Sequence, residues 1–314
     1  MLKELEVSTK SSIVTIGGLG KYSLRDTLEC GQCFRFEKTK LPDDDEEIYV
    51  VTTKHGVVRV GQRVPGELIF YGIDGEIPDE IKSFFALDRP LSLIKKSVVE
   101  HTDSEWLRNA AELGEGIAIL RQDPFETLIS FIISQNNNIP RIKKIIKQIS
   151  VEYGVNLTLQ NSDNPICPLY GDGMTPCEEN CKRCGACYSF PTAEEILLNP
   201  EGLLTSRPGF RYPYILDAAE RVADGRIDLD EIKGVARYEY TMLRLKEIKG
   251  VGDKVASCVA LFGIGNLEAF PIDVWMKRAI DAYFGGHLDP TSLGEYAGVA
   301  QQYIFHYIRN IENM

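Results

Sequence analysis

The feature that most constrains the fold of this 314-residue chain is a change in apolar spacing near Asp103. Before that point, short β-branched segments typical of strands lie at residues 12–16, 48–52, 57–60 and 67–71. After it, apolar residues recur at the helical interval, which predicts helices from Pro124 and from Pro140 and at residues 192–198, 213–223, 254–262, 274–283 and 296–311. We therefore expect an α+β chain, with an N-terminal antiparallel β-sheet domain over residues 1–115 and a mainly α-helical region over residues 116–314.

The clearest helix start is the DPFE segment at residues 123–126. Asp123 can cap the helix, Pro124 suits its first position, and Glu126 three residues after the cap predicts a capping box.

The composition is that of an ordinary globular protein, with 44% hydrophobic and 26% charged residues. No apolar run reaches the roughly 18 residues needed to cross a bilayer. Residues 1–10 mix acids and lysines, so we expect no signal peptide and a cytoplasmic protein.

The net charge of −11 argues at first sight against a nucleic-acid partner. Binding depends, however, on where cations cluster rather than on the total charge. Residues 127–151 hold no acid but contain Arg141, Lys143, Lys144 and Lys147. This stretch is either a solvated helix face or part of a DNA-binding surface, and composition does not decide between them.

The most informative segment is LKEIKGVGDKVA at residues 245–256. It predicts a helix that ends near Lys249, a tight turn over residues 250–252, and a second helix that begins near Asp253. Gly250 and Gly252 permit positive φ and leave backbone N–H groups uncovered. With the positive end of the second helix, these groups suit a DNA phosphate, although an ordinary helical corner has the same pattern.

Lys254 and Asp273 give this segment a chemical interpretation. Lys254 lies in the first turn of the second helix, where the helix dipole disfavours an ammonium, and a neutral amine is what nucleophilic attack requires. Asp273 stands 19 positions later at another helix start. It is either an N-cap or a catalytic carboxylate.

Several motifs follow one another in the order found in a known family. They are GQCFR (31–35), LRQDPFE (120–126), SQNNNI (134–139), the hairpin at 245–256, PIDV (271–274) and AGVAQ (297–301). Together they resemble the helix-hairpin-helix DNA glycosylase superfamily, and within it the 8-oxoguanine DNA glycosylases. The resemblance implies double-stranded DNA containing an oxidised purine as partner, a monomer, and no cofactor for catalysis. It also implies a bacterial or archaeal nucleoid-associated protein.

The resemblance implies a bifunctional base-excision-repair enzyme with Lys254 as nucleophile and Asp273 as essential carboxylate. Lys254 would attack C1′, release the base through a Schiff base with the sugar, and cut the strand by β-elimination. Base recognition would fall to the Gly31 carbonyl, to Phe305 and Cys258 as a sandwich, and to Gln301 on the Watson–Crick edge.

The remaining implied contacts concern the opened duplex. Asn136 would fill the vacated space, while Arg141 and Arg211 would bind the opposite cytosine. Phe210 stands where the family usually has a tyrosine wedge, and Trp275 where it often has histidine, so the local phosphate contact changes. The hairpin would contact DNA through Gly250, Gly252 and Val255, and it implies a cation held by the carbonyls near Lys246, Ile248 and Val251.

An inserted loop at about residues 160–190 holds a cluster of cysteines. Their density in a chain expected to be cytoplasmic favours a structural metal over disulfides, and four of them would bind either zinc or an iron–sulfur cluster. The candidate ligands are Cys167, Cys177, Cys181, Cys184 and Cys187.

Three alternatives remain open on the sequence. One is a related glycosylase for alkylated purines or oxidised pyrimidines. Another is a non-catalytic DNA-binding protein that uses the hairpin only for phosphates, although such a protein needs neither Lys254 nor Asp273. The third is a redox or zinc scaffold organised by the cysteine loop.

Overall fold

The computed structural model describes residues 6–10, 12–41, 44–157 and 187–312, and its N-terminal part contains a six-stranded antiparallel sheet. The strands are β1 (Glu6–Lys10), β2 (Ile13–Gly17), β3 (Phe36–Leu41), β4 (Asp44–Thr53), β5 (Gly56–Gly61) and β6 (Leu68–Tyr71). Their spatial order is β1-β2-β6-β5-β4-β3, and every neighbouring pair runs antiparallel. The four predicted strands are confirmed as β2, β4, β5 and β6.

One face of the sheet is buried because apolar side chains alternate along its strands. In β2, Val14 and Ile16 are buried between more exposed neighbours. Phe70 of β6 packs in the same core, together with Leu24 and Leu28 from the helix that follows β2. The sheet therefore has its own apolar core.

The prediction that the first hundred residues form strands is wrong for three segments. They are the helices α1 (Leu24–Glu29), α2 (Asp79–Phe84) and α3 (Leu91–Glu100). α1 and α2 have six residues each, which is too short for a helical period to stand out. Ser23 caps α1 by accepting a hydrogen bond from the Asp26 N–H, a local signal that the apolar pattern does not carry.

The rest of the described chain is mainly helical. It contains α4 (Glu105–Gly114), α5 (Pro124–Ser134), α6 (Ile139–Tyr153), α7 (Ala193–Leu198), α8 (Tyr212–Ala223), α9 (Leu229–Val235), α10 (Tyr238–Leu245), α11 (Asp253–Val259), α12 (Val274–Tyr283) and α13 (Ala297–Glu312). This confirms the predicted α+β class. Among the described residues, no helix is both long and apolar enough to cross a membrane.

Helix α5 is the centre of the helical part, with nine of its eleven residues buried. Asp123 caps it and accepts from the Glu126 N–H at 2.9 Å, as predicted. The second half of the predicted capping box is wrong, because the Glu126 carboxylate instead pairs with Arg35 at 2.9 Å. That ion pair ties α5 to the segment just before β3.

Around residue 115, residues on each side of the predicted boundary pack in the core of the other part of the chain. Val98 of α3 and Leu107 of α4 pack in the helical core, whereas Ala118 and Leu120 pack in the core of the sheet. The boundary at residue 115 stays a prediction.

Candidate active site

A cavity of about 770 Å³ opens where the turn after α1 meets the helical part. Its walls come from that turn, from the loop between α5 and α6, from α11, from the start of α12 and from α13. Seven of the predicted catalytic, base-recognition and DNA-binding residues line it: Gly31, Asn136, Lys254, Cys258, Asp273, Gln301 and Phe305. Residues from five separate stretches of chain therefore meet at one place.

The amine of Lys254 is held at the cavity wall. Its Nζ donates to the Ser134 Oγ at 3.1 Å and lies 5.1 Å from the centre of the Phe131 ring. The Ser134 hydroxyl donates in turn to the Phe131 carbonyl at 2.7 Å. Because its own proton is used, the Ser134 Oγ can only accept from Lys254.

Cys258 lies one helical turn after Lys254 and is buried. Burial raises the pKa of its thiol to about 11; Lys254 opposes the shift and Asp273 adds to it. The thiol is therefore neutral near pH 7 and presents a compact apolar surface. Lys254 and Asp273 both lie close enough to Cys258 to influence its charge.

Asp273 is the N-cap of α12 and accepts a hydrogen bond from the Met276 N–H at 2.8 Å. The capping interpretation is thus confirmed. Since one carboxylate oxygen makes the cap and the half-buried side chain lines the cavity, capping does not exclude a catalytic role.

The turn after α1 places Gly31 against Phe305. Gly31 has φ of +87°, and a Cβ there would lie 3.6 Å from the Phe305 ring. The next residue, Gln32, is fully buried: its amide donates to the Thr27 and Ala118 carbonyls at 2.8 Å and accepts from the Leu120 N–H at 2.9 Å. No local pattern marks this role of Gln32, because Ala118 and Leu120 are more than 80 positions away in the sequence.

The loop between α5 and α6 owes its shape to three consecutive asparagines. Asn136 takes a left-handed conformation with φ of +48° and is exposed. Asn137 donates to the Ile133 carbonyl at 3.1 Å at the end of α5, and Asn138 caps α6 by accepting from the Arg141 N–H at 3.0 Å. Two asparagines thus fix the helix ends and leave Asn136 projecting.

Arg211 stabilises this loop by donating hydrogen bonds to its backbone. Its side chain is only 3% exposed and donates to the carbonyls of Gln135, Asn136 and Pro208. These four hydrogen bonds use most of the five guanidinium N–H groups. The predicted contact of Arg211 with an opposite cytosine stays a prediction, and here the side chain organises the Asn136 turn.

Two further predicted DNA contacts lie at the surface beside this loop. Phe210 is 53% exposed, and the Arg211 guanidinium lies 4.3 Å from the centre of its ring. Arg141 is exposed as well. Burial lowers the pKa of Arg211, and the nearby positive charge of Arg141 lowers it further. The second effect shows that the two cations lie close together.

We expect Arg211→Lys to lower the free energy of unfolding by about 2 kcal/mol, because an ammonium cannot satisfy three carbonyls arranged around a planar guanidinium. Urea unfolding followed by circular dichroism measures the change. Arg207→Lys, at an exposed position four residues earlier, is the control and should have little effect. Equal stability of the two variants would show that Arg211 does not hold the loop.

The hairpin differs from the prediction in where its first helix ends. α10 ends at Leu245, four residues before the predicted Lys249, and a turn continues from there. Gly250 has the expected positive φ of +80°, and a Cβ there would meet the Tyr214 ring at 2.4 Å. Gly252 does not use the positive φ that glycine permits, since its φ is −95°.

Gly252 nevertheless faces open space, because a Cβ at this position would have no neighbour within 4 Å. The fold therefore does not require glycine there, whereas close approach of a partner would. Val255 is buried, and its contact with DNA stays a prediction. Of the carbonyls predicted to bind a cation, that of Ile248 accepts from the Val251 N–H at 3.0 Å, and the cation stays a prediction.

Trp275, which replaces the family's frequent histidine, lines the cavity. The Arg278 guanidinium lies 5.1 Å from the centre of its ring. A guanidinium thus lies against the indole at this position.

Four of the cysteines in the inserted loop, Cys167, Cys177, Cys181 and Cys184, lie outside the described residues. Cys187 is described and buried, and its carbonyl accepts from the Leu157 N–H at 2.6 Å, which closes the stem of the loop. Over the ranges that the structure covers, no group of three His, Cys, Asp or Glu side chains is placed to hold a metal. The metal site stays a prediction.

Comparison with known proteins identifies similar sequences and structures. Residues 18–128 match the family model for the N-terminal domain of 8-oxoguanine DNA glycosylase. The N-glycosylase/DNA lyase of Saccharomyces cerevisiae is 29% identical over 279 residues, which span 81% of this chain and 66% of that protein.

Two solved structures are more similar over their full length. MBOgg1, in complex with a low-affinity DNA ligand, is 34% identical with a TM-score of 0.80, and the match covers 98% of this chain and 99% of that one. The 8-oxoguanine glycosylase/lyase of Clostridium acetobutylicum, in complex with double-stranded DNA containing cytosine opposite 8-oxoguanine, is 30% identical with a TM-score of 0.78, covering 100% and 99%. On this evidence the chain belongs to the family of 8-oxoguanine DNA glycosylases.

Proposed function

We propose that the protein excises 8-oxoguanine from double-stranded DNA and then cleaves the strand as a lyase. The observation that carries the proposal is the single cavity in which Lys254 and Asp273 lie together with Gly31, Gln301 and Phe305. A protein that only binds DNA phosphates needs no such cavity behind its hairpin. The membership of the family supports the same activity.

The local charge supports a polyanionic substrate in spite of the net charge of −11. The charged residues that line the cavity are three cations, Lys254, Lys277 and Arg309, and one carboxylate, Asp273. Arg141 and Arg211 add two cations beside the Asn136 loop. The strand that carries the lesion would therefore meet a positive surface at the cavity.

Lys254 is proposed as the nucleophile. Its Nζ forms a bond with C1′ of the lesion while the bond from C1′ to the base breaks, and the base leaves with that electron pair and takes up a proton. Opening of the sugar ring gives an imine between Nζ and C1′. Loss of a proton from C2′ then expels the 3′ phosphate by β-elimination, which cuts the strand.

Asp273 is proposed to stabilise the positive charge that develops on the sugar as the base leaves. A fixed carboxylate is effective there because it needs no reorganisation when the charge appears. The cap to Met276 holds one oxygen in place and leaves the other for the substrate.

Base recognition is proposed for the opposite wall of the cavity. The Gly31 carbonyl would accept from N7–H, a donor that 8-oxoguanine has and guanine lacks. Guanine would oppose its N7 acceptor to that carbonyl and lose a hydrogen bond. Phe305 and the neutral Cys258 would enclose the base, and Gln301 would bind its Watson–Crick edge.

The space left in the duplex is proposed to be filled by Asn136, with Phe210 as the wedge. Both side chains are exposed and neighbour the same loop. Arg141 is accessible for hydrogen bonds to the opposite cytosine, which would favour activity opposite that base.

The experiment that tests the proposal uses a labelled duplex with a single 8-oxoguanine opposite cytosine, incubated with the protein and then treated with borohydride. Borohydride reduces an imine to a stable amine, so a covalent protein–DNA complex reports the Schiff base. We expect trapping and strand cleavage with 8-oxoguanine and neither with guanine in the same sequence. Base release without trapping would mean a monofunctional enzyme, and no base release would overturn the proposed function.

We expect Ser134→Ala to slow single-turnover excision about tenfold while leaving the affinity for DNA unchanged, because Lys254 loses the acceptor that orients its amine. Quench-flow kinetics and fluorescence anisotropy measure the two quantities. Ser130→Ala, one turn earlier in α5, is the matched control and should retain the wild-type rate; Ser130 is buried and Ser134 is half-buried. Equal rates for both variants would remove Ser134 from the site.

A further inference from the structure

Two neighbouring glutamines in α13 form a hydrogen-bonded pair at the wall of the cavity. Gln301 is 3% exposed and Gln302 is 4% exposed, and both line the cavity. The Gln302 Nε2 donates to the Gln301 Oε1 at 2.7 Å. Gln302 has no part in the proposed base contacts.

The hydrogen bond fixes which way round the Gln301 amide lies. An amide has a donor end and an acceptor end of nearly equal shape, so its orientation is set only by its partners. Turning Gln301 around would place its NH2 group against that of Gln302, donor against donor. The Gln301 amide is therefore presented to a ligand in one orientation only. It binds through its Nε2 and through the second lone pair of its Oε1.

The surroundings of Gln302 resist turning the pair as a whole. Its Oε1 is buried and has no hydrogen-bond partner among the described residues. A turned Gln302 would place an NH2 group there, leaving two buried donors unsatisfied instead of one acceptor. Buried unpaired donors are rarer than under-satisfied carbonyls, so the observed orientation is the favoured one.

The two kinds of purine edge require opposite orientations of a glutamine amide. A guanine-type edge presents a carbonyl acceptor beside an N1–H donor, and it pairs with an amide whose nitrogen faces the carbonyl. An adenine-type edge presents an amino donor beside an N1 acceptor, and it pairs with the same amide turned around. An amide that cannot turn forms hydrogen bonds with one edge. Against the other edge it places donor opposite donor and acceptor opposite acceptor.

We propose that Gln302 is a positioning residue that determines specificity: it locks the Gln301 amide for a guanine-type Watson–Crick edge and against an adenine-type edge. This inference rests on the proposed function, in which Gln301 reads the base. It adds the reason why a flexible amide can tell two 8-oxopurines apart.

The test compares single-turnover excision of 8-oxoguanine and of 8-oxoadenine, each opposite cytosine in the same duplex, by the wild type and by Gln302→Met. Methionine keeps the side-chain length and removes the donor. We expect Gln302→Met to excise 8-oxoguanine within about threefold of the wild type, since the Gln301 amide can still take the right orientation. We expect its preference for 8-oxoguanine over 8-oxoadenine to fall at least about tenfold, because the amide can now turn.

Borohydride trapping on a duplex with a preformed abasic site controls for general damage to the protein. No base is read in that reaction, so trapping should be unchanged in Gln302→Met. Gln302→Ala removes the same donor and takes the place of the methionine variant if that variant does not fold.

An unchanged preference between the two bases in an active variant would overturn the role of Gln302 alone. A wild type that excises neither base would overturn the proposed function and this inference with it. An equal loss of 8-oxoguanine excision and abasic-site trapping would assign Gln302 to the fold rather than to base selection.

Discussion

Lys254→Gln is expected to abolish borohydride trapping and to slow base release at least about a thousandfold, because the variant has no amine to form a bond with C1′. Glutamine has a similar length and still carries a donor for the Ser134 hydroxyl, so the cavity should keep its shape. The affinity for a duplex containing 8-oxoguanine should therefore change by less than about threefold, as expected for a residue that acts in the chemical step. Gel-based single-turnover assays and fluorescence anisotropy measure these effects.

The matched control is Lys233→Gln, which changes an exposed lysine of α9 that does not line the cavity. It should be trapped as efficiently as the wild type. Continued trapping of Lys254→Gln would show that another amine is the nucleophile. Loss of DNA affinity in parallel with activity would instead assign Lys254 to phosphate binding.

The parts of the fold that could be predicted from the sequence are those whose signals lie within a few residues. Asp123 caps α5, and its partner is three positions away. The strands show their alternation directly, and the start of α12 is marked by Asp273. The turn at Gly250 was predictable because glycine permits a positive φ.

What could not be predicted depends on partners that are remote in sequence. Arg211 donates to the Gln135 carbonyl, 76 positions earlier, and no local pattern marks a buried arginine. Glu126 looks like the second half of a capping box until Arg35, 91 positions earlier, competes for its carboxylate. In both cases tertiary contacts override the local preference.

The residues of the cavity were predictable only in part. Nothing in the apolar pattern marks Gly31, Gln301 or Phe305, and only the resemblance to a family selected them. The structure brings all three to the cavity that holds Lys254. Their roles in reading the base stay predictions.

The second large effect is expected for Asp273→Asn, which should slow excision at least about a hundredfold by removing the charge opposite the developing positive sugar. Asparagine is as good an N-cap as aspartate, so α12 keeps its hydrogen bond to the Met276 N–H and the melting temperature should shift by less than about 2 °C. Single-turnover kinetics and calorimetry report the two effects separately.

Two further variants divide the functions of this carboxylate. Asp273→Ala loses both the charge and the cap, so we expect the same loss of activity together with about 1 kcal/mol of unfolding free energy. Asp228→Asn changes another capping aspartate, which is exposed at the start of α9 and does not line the cavity, and should leave excision unchanged. If Asp273→Asn keeps its activity within about tenfold while Asp273→Ala is destabilised, the carboxylate serves only as a cap. Activity lost in both variants, with stability lost only in the alanine variant, is the pattern that a cap with a second, catalytic oxygen requires.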